Sequence, residues 1–444
     1  MNIAGLLSLF GLTFLGIPIY LAIFAAGLII LVLGYDVDPT TTIQVMFERL
    51  TSDTLIAIPM FILMGHLLAV GGSGKPLARL LNAFMGHIPG GPAYALILGN
   101  VIVAAMCASP IAGIAAFGPI MVPMMVEMGY SERFSIGLLI CSSVLAPLIP
   151  PSILPIIYSF IAGQALTQYA ASEGGVVAGA VFNVDVRTLW TASILPGVML
   201  AFLLAATVFF HSRRGHFQRL PSIDWHERLL ALKDGWAILL MPVVVLGPLY
   251  AKWTTPTETS IVGLIYVVLI SIFIYRGLNI KGVWGAVSQT AGIIGMVFGI
   301  MAGALLLIMA LTLSGIPTDL AEWVTDLGLP WYAFMAANVL LFIVLGMFLD
   351  PAAIVLICTP LLLPPALDVG VNVYVYGVFM TVAVNLANIT PPYGLLLFAS
   401  VGMLNKPYGY IVRSCLLFLP AMMVGMLIIA FWEDVSLWLT TIIE

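Results

Sequence analysis

Residues 104–123 read AAMCASPIAGIAAFGPIMVP, and residues 345–364 read LGMFLDPAAIVLICTPLLLP. At an offset of 241, Pro110 meets Pro351, Pro119 meets Pro360 and Pro123 meets Pro364. The same offset carries Gly129 onto Gly370, and Pro150-Pro151 onto Pro391-Pro392. A plain membrane helix has no use for prolines and glycines at these places. Helix breakers persist at membrane depth only where the freed backbone groups are buried in protein or line a polar cavity. The same breaks in both halves predict a transporter built from repeats, with its binding site at the breaks.

Composition fixes the solvent. Of 444 residues 62% are hydrophobic and 8% charged, with a mean hydropathy of +1.16. A soluble domain does not have that balance, and the chain is read as living in a bilayer. A formal net charge of -5 without a basic stripe gives no footprint for nucleic acid. Cys107, Cys141, Cys358 and Cys415 stand singly in apolar surroundings, so they read as small core residues and not as a disulfide or metal framework.

Nine crossings are expected: a retained first helix within Ile3–Leu33, then Leu55–Val70, Phe134–Ala162, Leu189–Phe210, Trp236–Ala251, Ser260–Tyr275, Ala286–Leu313, Val371–Met403 and Ile411–Trp432. Ala93–Glu127 and Trp331–Leu367 are too interrupted for single helices and read as re-entrant hairpins. Arg213, Arg214, Arg219, Arg228 and Lys233 place the loop 211–234 in the cytoplasm, and Arg276 and Lys281 return there two crossings later. Counting outward, the first hairpin opens to the cytoplasm beside Lys75 and Arg79. The second opens to the periplasm after Asp319, Glu322 and Asp326. The same count puts the N-terminus inside and Glu433 and Asp434 outside. The chain thus divides into a first repeat (1–234, hairpin 93–127), a linker helix and loop (235–258), and an inverted second repeat (259–444, hairpin 331–367). The fold class is all-α integral membrane with two re-entrant hairpins and broken helices.

Ser109 precedes Pro110 and Asp350 precedes Pro351, in each case an N-cap residue followed by proline at the first helical position. Each hairpin tip therefore starts a half-helix whose unpaired N–H groups and positive dipole end suit an anionic group, while nearby broken-backbone carbonyls suit a bare cation. Ile149-Pro150-Pro151-Ser152 and Thr390-Pro391-Pro392-Tyr393-Gly394 interrupt the long helix after each hairpin, and tip and break together can enclose an ion. Hydroxyls, carbonyls and one rare carboxylate are hard oxygen ligands, which points to Na+ as the coupling ion. Candidate ion ligands are Ser109, Pro150, Asp350, Thr390, Pro391 and Gly394. Candidate substrate contacts are Ser109, Ser152, Asn388 and Thr390. Two readings stand for each side chain: ligand, or cap that only satisfies backbone. An ionisable group at the depth of Asp350 is costly and favours the functional one.

Other motifs carry less. Gly71-Gly72-Ser73-Gly74-Lys75 lacks the Ser or Thr, glycine spacing and strand of a phosphate loop. His66 and His87 stand apart, and His211, His216 and His226 lie in the basic loop without zinc-site spacing. No nucleophile with its base, zinc-protease motif or paired intramembrane aspartates appears, so a membrane enzyme is not indicated.

Gly118-Pro119-Ile120-Met121-Val122-Pro123 with Gly129-Tyr130, the Ile149–Ser152 run, Thr257-Glu258 opening a helix, Leu345–Asp350, Thr359-Pro360 and Thr390–Gly394 together resemble the large membrane subunit of tripartite ATP-independent periplasmic (TRAP) transporters, the DctM-like family. The resemblance covers nearly the whole chain. It implies an ion-transporter-type fold with scaffold and mobile regions, elevator motion, and sodium-driven uptake of an organic acid across the inner membrane. It also implies two partners, a small four-helix membrane subunit and a periplasmic solute-binding protein. A stand-alone divalent-anion/sodium symporter or cation/proton antiporter of related fold is the alternative, and needs no binding protein. The chain departs from the family at Cys107-Ala108-Ser109-Pro110, where a Ser-Gly-Ser-Ser tip is usual, and at Gly113, where a small hydroxyl residue is usual. A polar connection between Ala162 and Asp185 is also longer than the pattern.

Overall fold

In the computed structural model the described residues are 11–12, 15–107, 109–172, 183–214 and 224–443. Ala108 of the first tip, the Cys107 side chain, 173–182 of the polar connection and 215–223 of the basic loop (with His216 and Arg219) fall outside them, as do the first ten residues. No strand occurs among the described residues. The first repeat holds α1 (Ile19–Ile29, prolonged by a π turn at Ile30–Gly34), α2 (Pro39–Leu50), α3 (Asp53–Val70), α4 (Gly74–Met85), α5 (Gly91–Cys107), α6 (Pro110–Glu127), α7 (Glu132–Ser143), α8 (Ile153–Ser172) and α9 (Val186–Arg214). After α10 (Trp225–Tyr250) come α11 (Pro256–Leu269, with a π turn at Ile270–Ile274), α12 (Ile280–Ser314), α13 (Ile316–Asp326), α14 (Trp331–Phe348), α15 (Pro351–Asp368), α16 (Val373–Ala387), α17 (Leu395–Leu404), α18 (Tyr408–Cys415) and α19 (Leu419–Phe431). Two single-turn helices, α20 (Asp434–Leu437) and α21 (Thr440–Ile443), close the chain.

The 241-residue register survives into backbone geometry. α6 and α15 are both 18 residues long and start on the paired prolines. Gly129 and Gly370 end them at φ 89 and 91, a left-handed conformation that glycine adopts without a Cβ penalty. Pro150-Pro151 and Pro391-Pro392 are both cis. The hairpin arms match the expected segments to within two residues, and the expected spans Phe134–Ala162 and Val371–Met403 are each divided at the expected double proline.

Besides the two terminal single turns, three helices were not expected. α2, α4 and α13 are amphipathic, so a search for uniformly apolar stretches passes over them. On α4, Leu77, Ala78, Leu80 and Leu81 are buried while Lys75 and Arg79 are exposed. α4 and α13 are mates under the same offset. The repeats differ where α2 and α3 meet their counterpart, the single 35-residue α12. At 1.5 Å per residue α12 is about 52 Å long and overshoots a hydrocarbon core of about 30 Å. In the first half the same stretch is cut before Ser52, which starts α3, while Asp38 starts α2 by accepting from Thr41 N–H at 2.9 Å. That N–H and the Thr41 hydroxyl hold the Asp38 carboxyl below its usual range.

The two repeats exchange helices. α1 packs along α12 and α11 packs along α3, so the first helix of each repeat lies on the second helix of the other. Likewise α8 packs on α15 and α17 on α6. Glycine permits a close crossing of α1 on α12: a Cβ on Gly27 would sit 2.8 Å from Leu306 Cβ and 2.9 Å from the Leu307 nitrogen, and one on Gly303 would sit 2.8 Å from the Phe24 nitrogen.

Inversion follows from the path of the chain. Between the hairpins lie four helices long and apolar enough to cross a membrane, α9, α10, α11 and α12, and the α7–α8 pair broken at the double proline; read as five crossings, an odd number, they put the hairpin mouths on opposite faces. Contacts agree. Arg79, beside the first mouth, bonds Asp234 at 2.6 Å and Glu227 at 3.3 Å at the start of α10. Gly71 packs backbone to backbone on Gly277 in the α11–α12 turn. At the other face Thr257 Oγ1 donates to the Asp53 carbonyl at 2.6 Å, joining the starts of α11 and α3. The last crossing, expected as one span over Ile411–Trp432, is bent by 57° between α18 and α19.

Candidate functional site

The N-termini of α6 and α15 open into one cavity of ≈ 290 Å³, just under the size of small-molecule sites, which start at about 300 Å³. Its walls keep the repeat symmetry: Ser109 and Asp350, Pro110 and Pro351, and Pro147 and Asn388 are mates at the 241 offset, and all line it. Ser109 Oγ accepts from Ala112 N–H at 3.4 Å, and Asp350 Oδ1 accepts from Ala352 N–H at 2.9 Å. Both residues are extended in backbone, at φ -128, ψ 119 and φ -65, ψ 139, as N-caps are. The remaining first-turn N–H groups of two helices thus converge on one space, a setting for an anionic group.

One oxygen acceptor without a partner belongs to the cavity lining and another to the first break. Asn388 Oδ1 is buried and accepts no hydrogen bond, and Asn388 lines the cavity. Ser152 Oγ, wholly buried beyond the cavity lining, is also unpartnered, while the Ser152 carbonyl accepts from Trp190 Nε1 at 3.0 Å. Thr390 lies outside the lining too, and its hydroxyl donates to the Leu386 carbonyl at 2.8 Å. Gly394, at φ 60, donates its N–H to the Met347 carbonyl at 3.0 Å, which stitches the second break to the outer arm of the second hairpin. Tyr408 Oη donates toward the Pro392 and Tyr393 carbonyls at 2.8 and 2.6 Å. Of the eight residues selected from sequence, Ser109, Asp350 and Asn388 meet at the cavity; Pro150, Ser152, Thr390, Pro391 and Gly394 form the two breaks beside it.

Two features escaped the sequence reading. Asn100, 1% exposed, donates Nδ2 to Ser142 Oγ at 2.7 Å and leaves Oδ1 unpartnered. A Cβ on Gly113 would lie 2.6 Å from that oxygen, so the Asn100 amide fills the space that a side chain at position 113 would occupy. The departure from the usual hydroxyl at 113 is thereby matched by an oxygen from α5. The second feature is His66 on α3, which lines the cavity and meets Thr290 Oγ1 of α12 at 2.7 Å. The two are 224 positions apart, and only the fold pairs them.

The sequence model of the family described as "Tripartite ATP-independent periplasmic transporter, DctM component" matches residues 6–435. The chain belongs to the DctM family. The DctM C4-dicarboxylate TRAP transporter large permease of Pseudomonas aeruginosa PAO1 is 33% identical over 88% of this chain and 87% of its own. That of Rhodobacter capsulatus is 32% identical over 90% and 89%, and the ectoine large permease TeaC of Halomonas elongata 27% over 97% of each. The crystal structure of the YdaH transporter of Alcanivorax borkumensis superposes with a TM-score of 0.59 at 14% identity, over 88% of each chain, which shows a shared fold. As a DctM protein the chain is a multi-pass membrane component of a transporter and not an enzyme, as expected.

Proposed function

We propose that this DctM protein is the large permease of a TRAP system in the inner membrane that takes up an organic acid in symport with Na+. The carrying observation is the cavity where two capped helix N-termini, at Ser109 and Asp350, meet the unpartnered oxygen of Asn388. Helix N-termini attract carboxylates, and an oxygen without a hydrogen-bond partner is an available ligand for a hard cation. The unpartnered oxygens of Asn100 and Ser152, near the first break, fit a further cation there. Na+ held at the breaks would offset the negative charge of cargo and of Asp350, so that ion and anion bind together. The relatives named for C4-dicarboxylates make those acids the first cargo to try.

The exchange of helices between repeats supports an elevator reading. α1, α3, α11 and α12 form a paired frame, and the hairpins with α8 and α17 form a second interlocked group that would carry the helix tips and their cargo past it. Partners in this reading are a small membrane subunit lying against the frame and a periplasmic solute-binding protein that delivers cargo. Reconstitution tests it. The complete system should accumulate succinate under an inward Na+ gradient, and this chain alone should not. Robust uptake by the isolated chain would favour a stand-alone symporter or antiporter, and uptake indifferent to Na+ would refute the coupling.

A further inference from the structure

The cavity has a wall that the repeat symmetry does not explain. Ser109, Asp350 and Asn388 belong to matched positions, but His66, from α3, lines the same cavity with no mate, since the offset places Leu307 at the corresponding position. His66 is half-buried, and one ring nitrogen is engaged: Nδ1 lies 2.7 Å from Thr290 Oγ1.

The behaviour of other threonines decides which atom donates. Inside helices of this chain, threonine hydroxyls habitually donate to the carbonyl four residues back, as at Thr191, Thr207, Thr312, Thr359 and Thr381. Thr290, 3% exposed in the middle of α12, makes no such bond; its hydrogen bond is the one to His66. A buried hydroxyl does not leave its proton unused, so Thr290 donates to Nδ1. The ring is then the neutral tautomer with its proton on Nε2, a donor with no acceptor among the described residues, at the edge turned away from Thr290.

We infer that His66, held in this tautomer by Thr290, is a cargo contact: its Nε2–H donates to one carboxylate oxygen of a cargo whose remaining carboxylate oxygens face the helix N-termini at Ser109 and Asp350. The inference rests on the proposed carriage of a carboxylate and deepens it. Thr290 acts only through His66 and is a positioning residue.

The test is Na+-driven uptake of succinate by the complete reconstituted system. His66→Leu removes the donor and should raise KM by about tenfold, the worth of one hydrogen bond to a charged group, with a smaller change in maximal rate. His66→Gln returns an N–H donor near the Nε2 position and should recover most of that loss. Thr290→Val frees Nδ1 and should raise KM less than His66→Leu does. Equal impairment of His66→Leu and His66→Gln, or an unchanged KM in His66→Leu, would overturn the inference. A loss confined to maximal rate would mark the pair as structural and overturn it too. Failure of the unaltered system to move succinate under a Na+ gradient would count against the proposed function itself, separately from His66.

Discussion

Ser109 and Asp350, 241 positions apart in the chain, cap the N-termini of two equivalent helices that open into the same cavity. They are chemically unequal. One brings a hydroxyl, the other a carboxylate, so the two halves of the site can be separated by substitution. Asp350→Asn keeps a good cap, because asparagine ranks with aspartate there, and removes only the charge. Melting temperature in detergent should hardly change, while the Na+ concentration for half-maximal uptake should rise several-fold. Ser109→Ala should instead lower stability by about 1 kcal/mol through the lost cap. An Asp350→Asn protein with an unaltered Na+ curve would leave the carboxylate as a cap and nothing more.

At the second break, Thr390 supplies a sharper test of ligand against scaffold. Its hydroxyl proton is already spent on the Leu386 carbonyl, so only the oxygen is free to face an ion. Thr390→Val should cost about 1 kcal/mol for the lost bond and should also shift Na+ dependence upward. Thermal melting combined with a Na+ titration of uptake separates the two effects. A stability loss with an unmoved Na+ curve removes Thr390 from the site and leaves backbone carbonyls to bind the ion.

Gly27 and Gly303 test the exchange of helices between repeats. Gly27→Ala puts a methyl 2.8 Å from Leu306 Cβ and 2.9 Å from backbone that cannot move aside, and should destabilise by about 1–3 kcal/mol. Gly295→Ala, on the same α12 with open space around it, should be neutral or stabilising by up to about 1 kcal/mol. Equal melting temperatures for the two variants would contradict the close α1–α12 crossing.

Sidedness is checked by single cysteines in a background without the native ones. A cysteine at Lys75 and one at Asp319 should react with an impermeant reagent from opposite faces of the membrane, because the five crossings between the hairpins are an odd number. Labelling of both from one face would remove the inversion.

How much of this was legible in the sequence depends on how local the physics is. The tips and both breaks were legible to the residue, because proline has no N–H and dictates the first turn of α6 and α15 on its own. The amphipathic α2, α4 and α13 were not, since half of each face is polar and hydropathy averages to nothing remarkable over them. Helix ends also moved: the span expected at Leu189–Phe210 runs on to Arg214, where polar residues continue a helix that has already left the apolar layer. The site residues that escaped notice depend on long-range packing. His66 looked isolated because its partner Thr290 is 224 positions away. Asn100 was one polar residue in an apolar arm until Gly113 was placed against it.

The central claim is that cargo and Na+ share the cavity between the tips. Ile111, on the first tip, and Ile293, on the α12 wall, both line it and are accessible, at 49% and 37% exposure. In the complete reconstituted system, cysteines at these two positions should be alkylated several-fold more slowly when Na+ and succinate are present together than with either alone. A control cysteine at Leu340, exposed on α14 and outside the cavity, should not respond. Alkylation at both cavity positions that ignores Na+ and succinate, in a preparation that still transports, would contradict the account.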